Sequence, residues 1–186
     1  MQRSATLLLM ALVSATASAA QIKRGDTATA VFGDEATLKV FMSATAITAH
    51  RLHHRARDAD EDLLSSYARG SAAPVSTSQA SQLRKLFSNP RSYTWSHVPD
   101  EHGLVSQKAC LPDFGVLLTF RGADHFIQIA LCFECDLFAV FVGDSTDPRR
   151  VNKEEDFDLI RTQLIEIVRS LFPHDEQIQK LQLRKT

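Results

Sequence analysis

The chain has 186 residues, 21 of them basic and 22 acidic, with 44% hydrophobic residues and three cysteines. The near balance of charge excludes the basic footprint of a nucleic-acid binder. The hydrophobic fraction is enough for a folded core rather than a disordered chain.

Met1-Gln2-Arg3 is followed by the apolar run Leu7 to Val13 and the small residues Ser14 to Ala20, the three zones of a secretory signal peptide. That run is shorter than the about 20 apolar residues that span a bilayer. Ala17-Ser18-Ala19 suits the cleavage rule, so the mature chain is expected to begin at Ala20 or Gln21. Residues 1–20 are assigned to the signal, 21–33 to a loose N-terminal arm and 34–186 to a single α+β domain. The protein is therefore expected to be exported, periplasmic or secreted, with no transmembrane segment after cleavage.

From the N-cap candidate Asp34, Leu38, Phe41 and Met42 recur at helical spacing, which predicts a short helix ending near Ala44. Thr45 to Leu52 reads as a strand. Next comes the histidine-rich stretch His50 to Arg57, then the acidic run Asp58 to Asp62 and small polar residues, so 54–75 is expected to be a long surface connection. Ser76 and Gln79 form a capping box ahead of Ala80, Leu83, Leu86 and Phe87, and Asn89-Pro90 stops that helix. Tyr93 and Trp95 alternate with polar neighbours, which predicts a strand over 92–96.

Phe114 to Val142 reads as three β runs. A two-residue type II′ turn at Gly122-Ala123 would place Phe114, Val116 and Leu118 opposite Leu131, Ile129 and Ile127, with Arg121 facing Asp124. The acidic residues Glu154 to Asp156 suit a helix start, and Phe157, Ile160, Leu164, Ile167, Val168 and Leu171 keep one apolar stripe up to Pro173. A shorter helix over 175–183 follows. The fold class is α+β: an antiparallel sheet of four to five strands with amphipathic helices packed on one face.

Extended as far as the cysteines, that register sets Cys110 opposite Cys135. A second arrangement is open: with Phe133-Glu134 as a tight turn, Cys132 would face Cys135. In an oxidising compartment one disulfide and one leftover thiol are expected, and Cys110 with Cys135 is favoured because it closes the longer loop. The rival reading is zinc held by Cys110, Cys132 and Cys135, with His97 or His102 as fourth ligand. A thioredoxin-like role fits poorly, since Glu134 and Asp136 oppose thiolate formation.

The run Leu131 to Cys135 after Cys110, with a helix ending Leu171-Phe172-Pro173, resembles small exported bacterial proteins of unknown function. The resemblance implies the fold and the exported habit, and brings no activity or site residue with it. His50, His53 and His54 are assigned to a solvated sheet edge rather than a metal site, and Asp58 to Asp62 lacks the glycine and terminal glutamate of a calcium loop. No nucleophile elbow or phosphate loop is present. The expected function is a non-enzymatic binding module without a cofactor whose partner is another exported protein; the alternative is a thiol- or metal-dependent protein using the cysteine cluster.

Overall fold

The computed structural model describes residues 28–54, 64, 66–94, 110–143, 149–150 and 155–183. The signal segment, most of the charged stretch after His54, Trp95, His97 and His102 lie outside the described residues.

An antiparallel open sheet is built from β1 (Ala46–His54), β2 (Tyr67–Pro74), β3 (Val116–Arg121), β4 (Phe126–Cys132), β5 (Leu137–Gly143) and the two-residue β6 (Arg149–Arg150), in the order β2-β1-β3-β4-β5-β6. A second short strand, β7 (Glu155–Asp156), also pairs with β5. The helices are α1 (Ala28–Phe32), α2 (Glu35–Ser43), α3 (Thr77–Ser88), α4 (Arg161–Leu171) and α5 (Glu176–Gln179). They pack on one face of the sheet. There Phe41, Leu83, Phe87, Leu164 and Val168 meet Val116, Leu118, Phe120, Ile127, Ile129 and Val140 in the main core. The opposite face carries a smaller buried cluster that includes Leu52, Tyr67, Leu117, Cys132 and Phe141.

Local chemistry explains most element boundaries. Asp34 caps α2 by accepting from the Thr37 amide at 2.7 Å. The Ser76–Gln79 capping box opens α3, and Gln79 also donates to Ser170 Oγ at 2.8 Å, tying α3 to α4. The whole α4 stripe expected from sequence is buried, from Phe157 through Leu171.

Several expectations are corrected. Residues 28–32 are not part of a loose arm: α1 places Val31 and Phe32 in the core, and Phe32 packs on Phe41 with ring centroids 4.5 Å apart. Within the expected long connection, Tyr67–Pro74 is a strand. Its run of Ala, Gly and Ser is mostly exposed, so backbone pairing with β1 holds it and no apolar alternation announces it. The expected 92–96 strand is reduced to a single bridge from Thr94 to Asp156, after a 3-10 turn at Pro90–Ser92. Tyr93 is buried instead as a core residue whose hydroxyl donates to the Phe87 carbonyl. The last long helix starts at Arg161, because Glu155 and Asp156 are taken into β7, and α5 is only a four-residue turn.

The central hairpin is shifted by two residues from the expected register. Val116 faces Leu131, Leu118 faces Ile129 and Phe120 faces Ile127, while Arg121 opposes Phe126 rather than Asp124. The Gly122 amide donates to the His125 carbonyl at 2.8 Å, leaving Ala123 and Asp124 at the tip. A two-residue shift preserves alternation, so the apolar face survives it, and Phe120 meets Ile127 in place of His125. Phe114 falls outside the ladder and joins the second cluster.

Candidate functional site

The antiparallel order brings the end of β1, the starts of β2, β3 and β5, and the end of β4 to one end of the sheet. All three cysteines are there too. Cys110 and Cys135 form a disulfide with Cα atoms 6.0 Å apart, and Cys132 is a buried free thiol. The geometry differs from the ladder pairing expected. Cys132 faces Leu137, so Phe133 to Asp136 make a four-residue turn that holds Cys135, while Cys110 lies ahead of β3. Asp136 supplies the positive φ of that turn, 57°. The strain of a left-handed residue falls on a type that tolerates it, and neither Phe133 nor Glu134 has to adopt it.

Beside this turn lies a cleft of about 630 Å³, within the range of ligand pockets. Its apolar lining comes from Leu52, Phe114, Phe133, Ile178 and Leu181. The ionisable side chains that line it are Arg51, His53, His54, Asp113, Glu134 and Lys180. Of the histidines assigned above to a solvated edge, His53 and His54 are exposed and line the cleft while His50 does not, and β1 lies between β2 and β3 rather than at the edge of the sheet. His54 stacks edge-on against Tyr67, centroids 5.5 Å apart.

Two buried arginines fix the walls. Arg51, 5% exposed, pairs with Asp175 at 2.6 Å, donates to Gln177 Oε1 at 2.9 Å and also donates to the Gly115 carbonyl. It thereby binds α5 to the sheet. Gly115 permits this approach, since a Cβ there would stand 3.1 Å from the guanidinium. Arg161 pairs with the fully buried Asp136 and donates to the carbonyls of Phe133 at 2.6 Å and Gln182 at 3.0 and 3.1 Å. It joins the cysteine turn to α4 and the C-terminal segment. Tyr67 holds the remaining wall: its hydroxyl accepts from the Phe114 amide at 3.1 Å and donates to the Pro112 carbonyl at 3.4 Å.

The electrostatics follow from these contacts. Burial pushes the Cys132 thiol above its usual range, against the opposing effect of backbone amides at Cys135, Asp113 and Glu134. Burial also raises the Tyr67 hydroxyl. At Asp175 burial pulls upward, but the Ile178 amide and Arg51 together outweigh it, and the carboxyl sits below the ordinary carboxylate range. Burial and the nearby Arg69 lower the pKa of the His50 imidazole, against a backbone hydrogen bond at Gly70.

Of the zinc candidates, Cys110 and Cys135 are joined to each other, Cys132 is a buried free thiol, and His97 and His102 lie outside the described residues. Among the described residues no group of three His, Cys, Asp or Glu side chains is placed to hold a metal ion. No described helix is long and apolar enough to cross a membrane.

Comparison with known proteins adds no family. No family model matches the chain, and neither does any curated protein or solved structure.

Sequence reasoning missed Arg51, Arg161 and Asp175, and read Asp136 only as a charge opposing the thiolate, whereas the structure pairs it with Arg161. One signal was present for Arg51: it continues the alternation of Ile47 and Ala49, which predicts an inward-facing cation in need of a partner. The partner, the N-cap of α5, is too far along the chain to be read from spacing.

Proposed function

We propose that the protein is an exported, non-enzymatic binding module that grips another exported protein at the cleft beside the disulfide. The observation that carries this reading is Leu111, 95% exposed between Cys110 and the cleft residue Asp113. The disulfide on one side and the Tyr67 hydrogen bonds on the other restrain this segment. An apolar side chain fixed in water is a favourable anchor. Burying it against a partner recovers about 25 cal/mol per Å², and a restrained anchor loses little further entropy on docking. The surrounding charges are of both signs, Lys180 against Asp113 and Glu134, which suits the mixed rim of a protein interface. Export is supported by the leader-like N-terminus and by a disulfide of the kind that persists in oxidising compartments.

The test uses tagged mature protein and the exported fraction of its own cells. Leu111 and Lys180 are exposed, so Leu111→Asp and Lys180→Glu leave the fold intact. Each is expected to lower recovery of the bound partner about tenfold, equivalent to about 1.4 kcal/mol. Gln82→Glu, in the separate groove between α3 and α4, should leave recovery unchanged. Equal recovery across all three variants would refute the cleft as the binding surface.

A second reading, a thiol-dependent protein, is favoured by one observation: a free sulfur is buried in the same cluster as a disulfide sulfur.

A further inference from the structure

Three sulfurs meet at the cleft end of the sheet and two are bonded. Cys132 ends β4 and Cys135 lies in the turn that follows, both in the same buried cluster, while Cys110 is exposed. Cys132 faces Leu137 across the four-residue turn that carries Cys135, so the buried free thiol stands at the foot of the disulfide-bearing turn, in one apolar cluster with Cys135. Cys132 and Cys135 are separated by Phe133 and Glu134 alone, a spacing short enough for a disulfide across a turn.

We propose that this cluster is an internal thiol–disulfide exchange switch. Deprotonated Cys132 Sγ attacks Cys135 Sγ, the Cys110–Cys135 bond breaks, a Cys132–Cys135 bond forms, and Cys110 Sγ departs as a thiolate that takes up the proton Cys132 released. One disulfide and one thiol exist before and after, so no outside oxidant or reductant enters. Attack at Cys135 is favoured because the departing Cys110 sulfur is exposed and water stabilises its charge. The burial that disfavours the Cys132 thiolate keeps the exchange slow at neutral pH. Its consequence rests on the cleft reading given above: releasing Cys110 unties the Leu111 segment from the turn, which loosens the cleft wall.

The experiment takes the full mature protein with its native disulfide, adds iodoacetamide under native conditions without reductant over a pH series, and maps the modified and bridged peptides. Alkylated Cys110 together with a Cys132–Cys135 bridge is expected, with a trapping rate that rises about tenfold per pH unit below the Cys132 pKa. Label on Cys132 with Cys110–Cys135 intact would overturn the proposal. So would the absence of any label until the protein is unfolded. Cys132→Ala should abolish labelling of Cys110, and Cys110 labelled equally fast in that variant would also overturn it. The wild-type bridge map needs no variant, so the result stands even if that substitution disturbs the core. Partner recovery with Leu111→Asp is a separate readout, so failure of the exchange and failure of the cleft reading are distinguishable.

Discussion

Replacing Arg161 by Met should be among the most damaging single changes in the protein. The guanidinium is 8% exposed and pairs with a carboxylate that is 0% exposed, and it also donates to the Phe133 and Gln182 carbonyls. Methionine fills similar volume but removes the guanidinium that faces the buried Asp136 carboxylate. Breaking a buried pair in this way costs about 3–5 kcal/mol. For a chain of this size each kcal/mol lowers Tm by about 2–4 °C, so a fall of about 10 °C is expected. Adding Asp136→Asn should recover part of that loss, because a neutral amide removes the buried charge that Arg161 no longer faces, and asparagine accepts the φ of 57° at this position. Thermal unfolding followed by circular dichroism, with urea titrations to confirm an unchanged m value, measures both variants. A single variant within about 1 kcal/mol of wild type would refute the role assigned to the buried pair. A double variant no more stable than Arg161→Met would refute the charge explanation.

Cys110→Ser should destabilise the oxidised protein by about 3.5 kcal/mol, the chain-entropy value for the 25-residue separation, measured by urea unfolding against wild type. Asp175 makes the stability pH-dependent: its folded pKa lies below the unfolded value, so its contribution is full above pH about 4 and is lost as pH falls through the folded pKa. Asp175→Asn should therefore be less stable than wild type at pH 6 yet lose less between pH 5 and pH 3, and an unchanged acid slope would contradict the Arg51 clamp. Mass spectrometry of the protein recovered from its native compartment should find Ala20 or Gln21 at the N-terminus; a chain still carrying Leu7 would overturn the signal-peptide reading.

The parts of the fold legible in the sequence were those written in local patterns. Asp34 and Ser76-Gln79 announce helix starts through side chains that reach only a few residues. The α4 stripe and the alternation of β3 and β4 announce buried faces, and those faces are right even though the register between the strands is offset by two. Strand β2 was illegible because its exposed small residues carry no periodicity; its reason for being a strand lies in β1. The hairpin tip was misread because Gly122 suggested a positive-φ turn, whereas among the described residues positive φ occurs only at Gly33 and Asp136. At the site, Cys110 and Cys135 could be related by counting along a hairpin, although the structure joins them through a turn. Arg51 with Asp175 and Arg161 with Gln182 are long-range contacts that no spacing rule reveals. The cleft exists because these contacts fix α5 and the C-terminal segment beside the cysteine turn.

Site-specific photo-cross-linking from position 111 tests the binding reading most directly. A photoreactive amino acid in place of Leu111, activated while the protein resides in its native compartment, should give a discrete adduct with one partner protein. The same probe at Met42, exposed on α2 and not part of the cleft lining, should give none. Equal, diffuse labelling from both positions, or no adduct from position 111, would contradict the account.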